Sequence, residues 1–281
     1  MIDQLHEARI LKKYGLRPNK GLGQNFLVDD AALRRVVTVA ELGADDAVLE
    51  IGPGLGSLTR HLAKAARRVV AVEIDDQLIP PLREVLAPFE NITIVHDDIL
   101  NCDPDTLIPE SPYLVVANIP YYITSAIIRH LLEAKNPPSR MILTVQREVA
   151  QRICAKPGEM SLLALSVQVY GDPRIAARIP AGAFYPAPKV DSAIVRIDLS
   201  PEPKISPDQL ESFFTLAKAG FGQKRKTLNN AISAGMGWSK PHTKVLLENA
   251  GIDPQRRAET LSLEEWRTLI STIATNSNDD V

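Results

Sequence analysis

The chain has 281 residues, 45% hydrophobic and 23% charged, which is an ordinary globular composition. Lys plus Arg number 32 and Asp plus Glu 34, so overall charge selects no polyanionic partner and any basic surface must be local. Cys102 and Cys154 stand far apart, which argues against a disulfide scaffold or a zinc site and reads as two reduced cysteines of a cytoplasmic protein.

Met1 to Lys13 is charged throughout, unlike a signal peptide. Arg9, Lys12, Lys13, Arg17 and Lys20 stand with no acid between them and form a basic arm. A helix or arm follows over Asp29–Ala40. Val48–Ile51 then reads as a buried strand and Leu58–Ala65 as a helix. Arg68–Val72 is the next strand and Gln77–Leu86 the next helix. Asn91–Val95, Tyr113–Ala117 and Met141–Val145 continue the strands, with a helix over Ser125–Glu133. Alternating strands and helices predict βαβ units and a parallel sheet covered on both faces. Leu165–Tyr170 and Ala193–Leu199 read as further strands closing the sheet with an antiparallel edge.

Ser111 to Ile128 carries no charge and reaches the minimum length of a spanning helix. Pro112, Asn118, Pro120 and three tyrosines interrupt it, so it reads as strand, loop and helix start. Pro201, Pro203 and Pro207 then mark a linker, after which the pattern is helical only. Ser206 with Gln209, and Ser262 with Glu265, have capping-box spacing. The expected division is an α/β domain over 1–200 and a helical domain over 201–281.

Glu50-Ile-Gly52-Pro-Gly54-Leu-Gly56 lies where the first strand meets its helix, and glycines there allow close approach of a ligand. The dinucleotide fingerprint does not fit, because Ser57 holds the place of its third glycine. Glu73 follows about twenty residues after the loop, at the end of the second strand, where an acid can accept both hydroxyls of a ribose. Asp98 closes the third strand and can reach an adenine amino group. No phosphate-gripping lysine follows the glycines, so a nucleoside fits better than a nucleotide. Glu50 beside the loop suits a ligand bearing an amine. S-adenosylmethionine has that shape, and the order of features resembles the class I methyltransferases.

Asn118-Ile-Pro120-Tyr121 ends the fourth strand. An exocyclic adenine amine is a poor nucleophile because its lone pair is spread into the ring. Acceptors that draw the nitrogen toward tetrahedral geometry make it reactive. The Asn118 side-chain carbonyl is one such acceptor, and a backbone carbonyl near Ile119 or Pro120 is the other. Proline shapes the turn and leaves its carbonyl free. Tyr121 offers a face on which the base stacks. No strong general base is required, and catalysis is mostly positioning. His61, His96 and His130 have no metal spacing and read as structural residues.

These residues resemble the KsgA/RsmA family of ribosomal RNA adenine dimethyltransferases. Gly23-Gln24-Asn25-Phe26-Leu27 is similar to that family's N-terminal cofactor segment. Glu50–Gly56, Glu73, Asp98 and Asn118–Tyr121 follow in the family's order. Phe184–Ser192 is similar to its late loop, and Phe221-Gly-Gln-Lys224-Arg225-Lys226-Thr to its signature in the helical domain. The resemblance implies a class I (Rossmann-like) methyltransferase sheet with a small C-terminal helical domain. It implies that Asn25, Leu27, Gly52, Gly54, Glu73, Asp98 and Asn118 contact S-adenosylmethionine. It implies that Asn118 and Tyr121 hold the target adenine, with Pro120 in the turn, and that Phe184 stacks on the other face of the base. The implied reaction is N6,N6-dimethylation of two adjacent adenosines in the 3′-terminal hairpin of small-subunit ribosomal RNA, with a role in late subunit assembly.

Lys218, Lys224, Arg225 and Lys226 form a local basic run suited to phosphates. Arg140, Arg147, Arg152 and Lys156 are candidates to extend it. The expected partner is RNA of the assembling 30S particle, with no membrane, no metal and a monomeric chain. Two alternatives stay open: a resistance-type methyltransferase of large-subunit RNA, and an assembly factor whose main act is binding. The basic signature argues against the first, and the intact Asn118 and cofactor motifs against the second.

Overall fold

Short apolar runs that must bury both faces set the architecture of the first part of the chain. The computed structural model describes residues 5–119 and 123–279, the side chains of 276–279 excepted. A short helix α1 (Glu7–Lys13) leads into β1 (Phe26–Leu27) and α2 (Asp30–Ala40). Next come β2 (Ala47–Ile51), α3 (Ser57–Ala65), β3 (Arg68–Glu73), α4 (Ile79–Leu86) and β4 (Ile92–His96). Then α5 (Pro104–Leu107), β5 (Tyr113–Asn118), α6 (Thr124–Leu132) and β6 (Arg140–Gln146) follow. After α7 (Arg147–Ile153) and α8 (Leu162–Gln168) stand β7 (Gly171–Ile179), β8 (Phe184–Tyr185) and β9 (Ser192–Leu199). The chain ends in α9 (Leu210–Phe221), α10 (Leu228–Met236), α11 (Lys240–Asn249) and α12 (Leu263–Asp279).

Seven strands form one sheet in the order β4-β3-β2-β5-β6-β9-β7. Its first five strands are parallel, and β9 runs antiparallel to β6. Every residue of β2 is buried, as a central parallel strand requires. Val48, Val69, Val116 and Ile142 pack against Leu33 and Val36 of α2 and Leu58 and Leu62 of α3. Asp29 caps α2 by accepting the Ala32 N–H at 2.7 Å. The other end of α2 is held by two arginines. Arg140 donates to the Ala40 carbonyl at 2.8 Å and Arg196 to that of Val39 at 3.1 Å. Both also pair with Asp198 and Glu41. Arg140 is therefore a structural clamp, which corrects its expected place on a positive surface.

The expected single cut at residue 200 is corrected too. One compact unit comprises residues 1–150 and 172–199, the other 151–171 and 200–281. Met160, Leu165 and Val169 are buried in the same cluster as Phe213, Leu216, Leu247 and Trp266. Leu165–Tyr170, expected as a strand, lies instead mainly in α8. Its Leu-Ser-Val-Gln-Val alternation mimics a strand. But Ser161 caps the segment by accepting the Ala164 N–H at 3.2 Å, and Leu163, Ala164 and Val167 are buried at helical spacing. The additional edge strand is β7, whose mostly exposed residues carry no apolar alternation. Of the two capping boxes, only Ser262–Glu265 forms. Glu265 accepts the Ser262 N–H at 2.8 Å and donates its own N–H to Ser262 Oγ at 3.1 Å. Ser206 turns its hydroxyl to Asp208 instead.

Helices α9 and α10 cross backbone to backbone. A Cβ on Gly235 would lie 2.5 Å from Ala219 Cβ and 2.7 Å from its Cα. Gly235→Ala is expected to lower the stability of the helical unit by about 1–3 kcal/mol through overpacking. That outweighs the ~1 kcal/mol gain in helix propensity. Denaturant melting of the variant checks the sign; a more stable variant would contradict the close crossing.

Candidate active site

Strand order reverses between β2 and β5, and in such sheets ligands sit beyond the carboxyl ends of the strands at that point. Gly52 follows β2 and Asn118 closes β5, side by side. They line a cavity enclosing roughly 820 Å³ of non-protein space, counting its open mouth. Asn25, Gly54, Glu73 and Asp98 line it as well. Six of the expected cofactor residues thus surround one cavity in the α/β unit.

Gly54 has φ +59, and a Cβ there would come within 2.8 Å of the Phe26 ring. Only glycine satisfies both constraints. The Gly54 N–H donates to Glu73 Oε2 at 2.9 Å, and the Asp75 N–H donates to Oε1 at 3.0 Å. Glu73 is 4% exposed, and burial pushes its carboxyl above the ordinary range, opposed by these two N–H groups. A carboxylate has about four acceptor positions, so Glu73 keeps acceptor capacity for a ligand hydroxyl. Asp98 lies two residues beyond β4, and its Oδ1 accepts the Leu100 N–H at 3.0 Å.

Asn118 donates Nδ2–H to the Asn25 carbonyl at 3.0 Å, and Asn25 donates in turn to the Gly23 carbonyl at 3.0 Å. With one N–H anchored on the Gly23–Leu27 segment, Asn118 presents Oδ1 as an acceptor. Pro120 and Tyr121, expected to complete this turn, lie outside the described residues.

Three expectations are corrected. Phe184 is 4% exposed and sits in the core cluster with Leu27, Ile179 and Ile194, so it offers no free ring for stacking. The antiparallel pair β1–β8 sets Phe184 beside Leu27 of the same core cluster. Leu27 faces Phe184 and Phe26 faces Tyr185, and paired residues share a face. Leu27 is buried for the same reason and does not line the cavity. Glu50 is 1% exposed and does not line it either. Burial pushes its carboxyl up to about 8, opposed by the neighbouring Thr59 hydroxyl and aided by the charge of Glu73.

Residues missed by sequence reasoning brace the cavity. Gln24 donates to Asp75 Oδ2 at 2.5 Å and accepts the Asn19 N–H at 2.7 Å. Ile74, 46% exposed, and Ile99 add apolar wall. The position of Gln24 inside the Gly23–Leu27 run was the available signal. In the helical unit, Lys218, Lys224, Arg225 and Lys226 are exposed where α9 gives way to α10.

The family described as ribosomal RNA adenine dimethylase matches residues 15–275. Ribosomal RNA small subunit methyltransferase A of Dehalococcoides mccartyi (strain CBDB1) is 50% identical over 269 residues, covering 95% of this chain and 92% of the relative. The protein of that name from Alkaliphilus metalliredigens is 42% identical over 272 residues, covering 94% and 95%. Among solved structures, the 23S rRNA methyltransferase ErmE has a TM-score of 0.73 at 32% identity, covering 89% of this chain and all of that one. A dimethyladenosine transferase from Plasmodium falciparum shares the fold, with a TM-score of 0.77 at 23% identity over 90% of this chain and 98% of the other. The chain belongs to the ribosomal RNA adenine dimethylase family.

Proposed function

We propose that the protein transfers methyl groups from S-adenosylmethionine to N6 of two adjacent adenosines in the 3′-terminal hairpin of small-subunit ribosomal RNA. The observation that carries the cofactor reading is the sign of the cavity. Glu73, Asp97 and Asp98 line it, and among the described residues no Lys, Arg or His does. Such a lining repels a nucleotide's phosphates and suits a nucleoside bearing a cationic tail. The ribose hydroxyls fit the acceptor capacity left on Glu73.

When bound, S-adenosylmethionine supplies an activated methyl group on a sulfonium. The protein's task is to aim a weak nucleophile at it. Asn118 Oδ1 accepts an N6–H of the adenine, localises the lone pair and holds it in line. The bond to the Asn25 carbonyl biases the amide toward this orientation. Proton loss follows methyl transfer, from a cationic product to water.

For the RNA, the exposed Lys224-Arg225-Lys226 run gives phosphate contacts without overall basicity. Replacing all three by alanine is expected to weaken subunit binding by about tenfold or more and to flatten its salt dependence. Cofactor affinity should stay unchanged; equal loss of both would mean misfolding. Relatives at up to 50% identity carry the small-subunit name, against 32% for the large-subunit enzyme ErmE. We place the protein in the cytoplasm, acting as a monomer on the assembling 30S particle.

The deciding experiment is methyl transfer from labelled S-adenosylmethionine to undermethylated small subunits, with large subunits and DNA as controls. Dimethyladenosine at two adjacent bases of the 3′-terminal hairpin is the expected product. Transfer to large-subunit RNA would replace this reading by the resistance type. Tight subunit binding without transfer would replace it by a scaffold role.

A further inference from the structure

Helix α1 touches none of the cavity, yet it is fastened to the glycine loop, β1, α3 and α4, which line or flank it. Leu11 of α1 is buried in one cluster with Leu55 of the glycine loop, Phe26 and Leu78. Phe26 and Leu78 themselves line the cavity. At the end of α1, Lys13 and Tyr14 both reach Glu84 of α4 at 2.5 Å. At its start, Glu7 is only 4% exposed, and its carboxylate accepts the hydroxyl of Ser57. Ser57 is the first residue of α3, directly after Gly56, and is itself 7% exposed.

A carboxylate is costly to bury, and it is retained where its hydrogen bonds fix something. Here it fixes the point at which the glycine loop becomes a helix. Exposed pairs such as Lys13–Glu84 contribute little rigidity. The buried Glu7–Ser57 bond is the stronger fastening.

We propose that Glu7 is a positioning residue for the cofactor: through Ser57 it holds the Gly52–Gly56 loop in its binding conformation, with α1 as the strap. The inference rests on the cavity being the cofactor site. Loop order is a cost that binding otherwise has to meet. A loop released from Glu7 therefore binds the cofactor more weakly without losing any direct contact to it.

The test uses the full chain with Glu7→Leu, Glu7→Gln, Ser57→Ala and the Glu7→Leu/Ser57→Ala double variant. Two quantities are read: amide hydrogen exchange of Gly52–Ser57 in the free protein, and the Kd for S-adenosylmethionine by calorimetry. Glu7→Leu and Ser57→Ala are each expected to speed loop exchange and to raise Kd about tenfold. Glu7→Gln keeps an acceptor and should stay within about threefold of the parent. The double variant should be no worse than the worse single one, because both remove one bond. A lowered melting temperature with unchanged loop exchange and Kd would overturn the proposal, leaving Glu7 merely structural. Should Glu7→Leu fail to fold, Ser57→Ala and Glu7→Gln decide the matter by the same two readouts. If the parent protein binds no S-adenosylmethionine while the loop still loosens, the cavity reading fails and the strap stands.

Discussion

Asn118→Ala is expected to lower the methylation rate by about 10²–10³-fold, the usual cost of removing one preorganised polar group at a reacting centre. S-adenosylmethionine binding should weaken far less, because Glu73, Asp98 and the glycine loop remain. The split follows from the geometry. Asn118 donates one N–H to the Asn25 carbonyl, which turns its oxygen toward the target amine. Asn118→Asp separates the two roles. It retains an acceptor but sets a second oxygen against the Asn25 carbonyl, so it should disturb the cofactor wall as well as the rate. Single-turnover rates and calorimetric Kd values measure both. A fully active Asn118→Ala enzyme would refute the role assigned to the amide.

Glu50→Gln should change how stability depends on pH. The ordinary carboxyl value is 4.5, and burial first of all raises that of Glu50 to about 8. The unfolded chain loses this proton near 4.5, while the fold keeps it to about 8. Between those values the native state binds more protons, so stability falls as pH rises, by up to about 1.4 kcal/mol per pH unit. The favourable contribution is complete below the lower value and gone above the upper one. Glutamine imitates the protonated form and has no such slope. The variant should match the parent near pH 5 and melt at a higher temperature near pH 8.5. Buried acids that do not touch Glu50 titrate in both proteins and cancel in the comparison, while Glu73, whose charge acts on Glu50, adds a smaller change. Parallel melting profiles from pH 5 to 9 would show that Glu50 ionises without penalty.

The strand ends were legible because a parallel sheet converts sequence order into spatial order. Gly52, Glu73, Asp98 and Asn118 each stand at or just beyond a strand's end, and four adjacent strands bring them together. What was hidden depends on contacts between distant positions. Gln24 meets Asp75 across 51 residues, and Ser57 meets Glu7 across 50. Nothing local in either residue marks the bond. Phe184 and Tyr185 are adjacent aromatics, and only tertiary packing decides which is buried: Phe184 joins the core cluster with Leu27, while Tyr185 is exposed although its partner Phe26 is buried. The alternation at Leu165–Val169 was misleading because α8 is buried on more than one side: Leu165 and Val167 lie on opposite faces of the helix, yet both are buried, so they are apolar as they would be along one face of a strand.

The helical unit is assembled from two stretches of chain, 151–171 and 200–281, with β7, β8 and β9 made in between. During synthesis, the apolar side chains of Met160, Leu165 and Val169 emerge about a hundred residues before Trp266, with which they share a core. They must wait uncovered while the sheet's last strands are laid down. For the same reason, a fragment ending at residue 200 would keep the outer piece of its neighbour's core and leave it wet. Cutting there should yield an aggregating fragment, and separating the two units cleanly requires splicing out 151–171 as well.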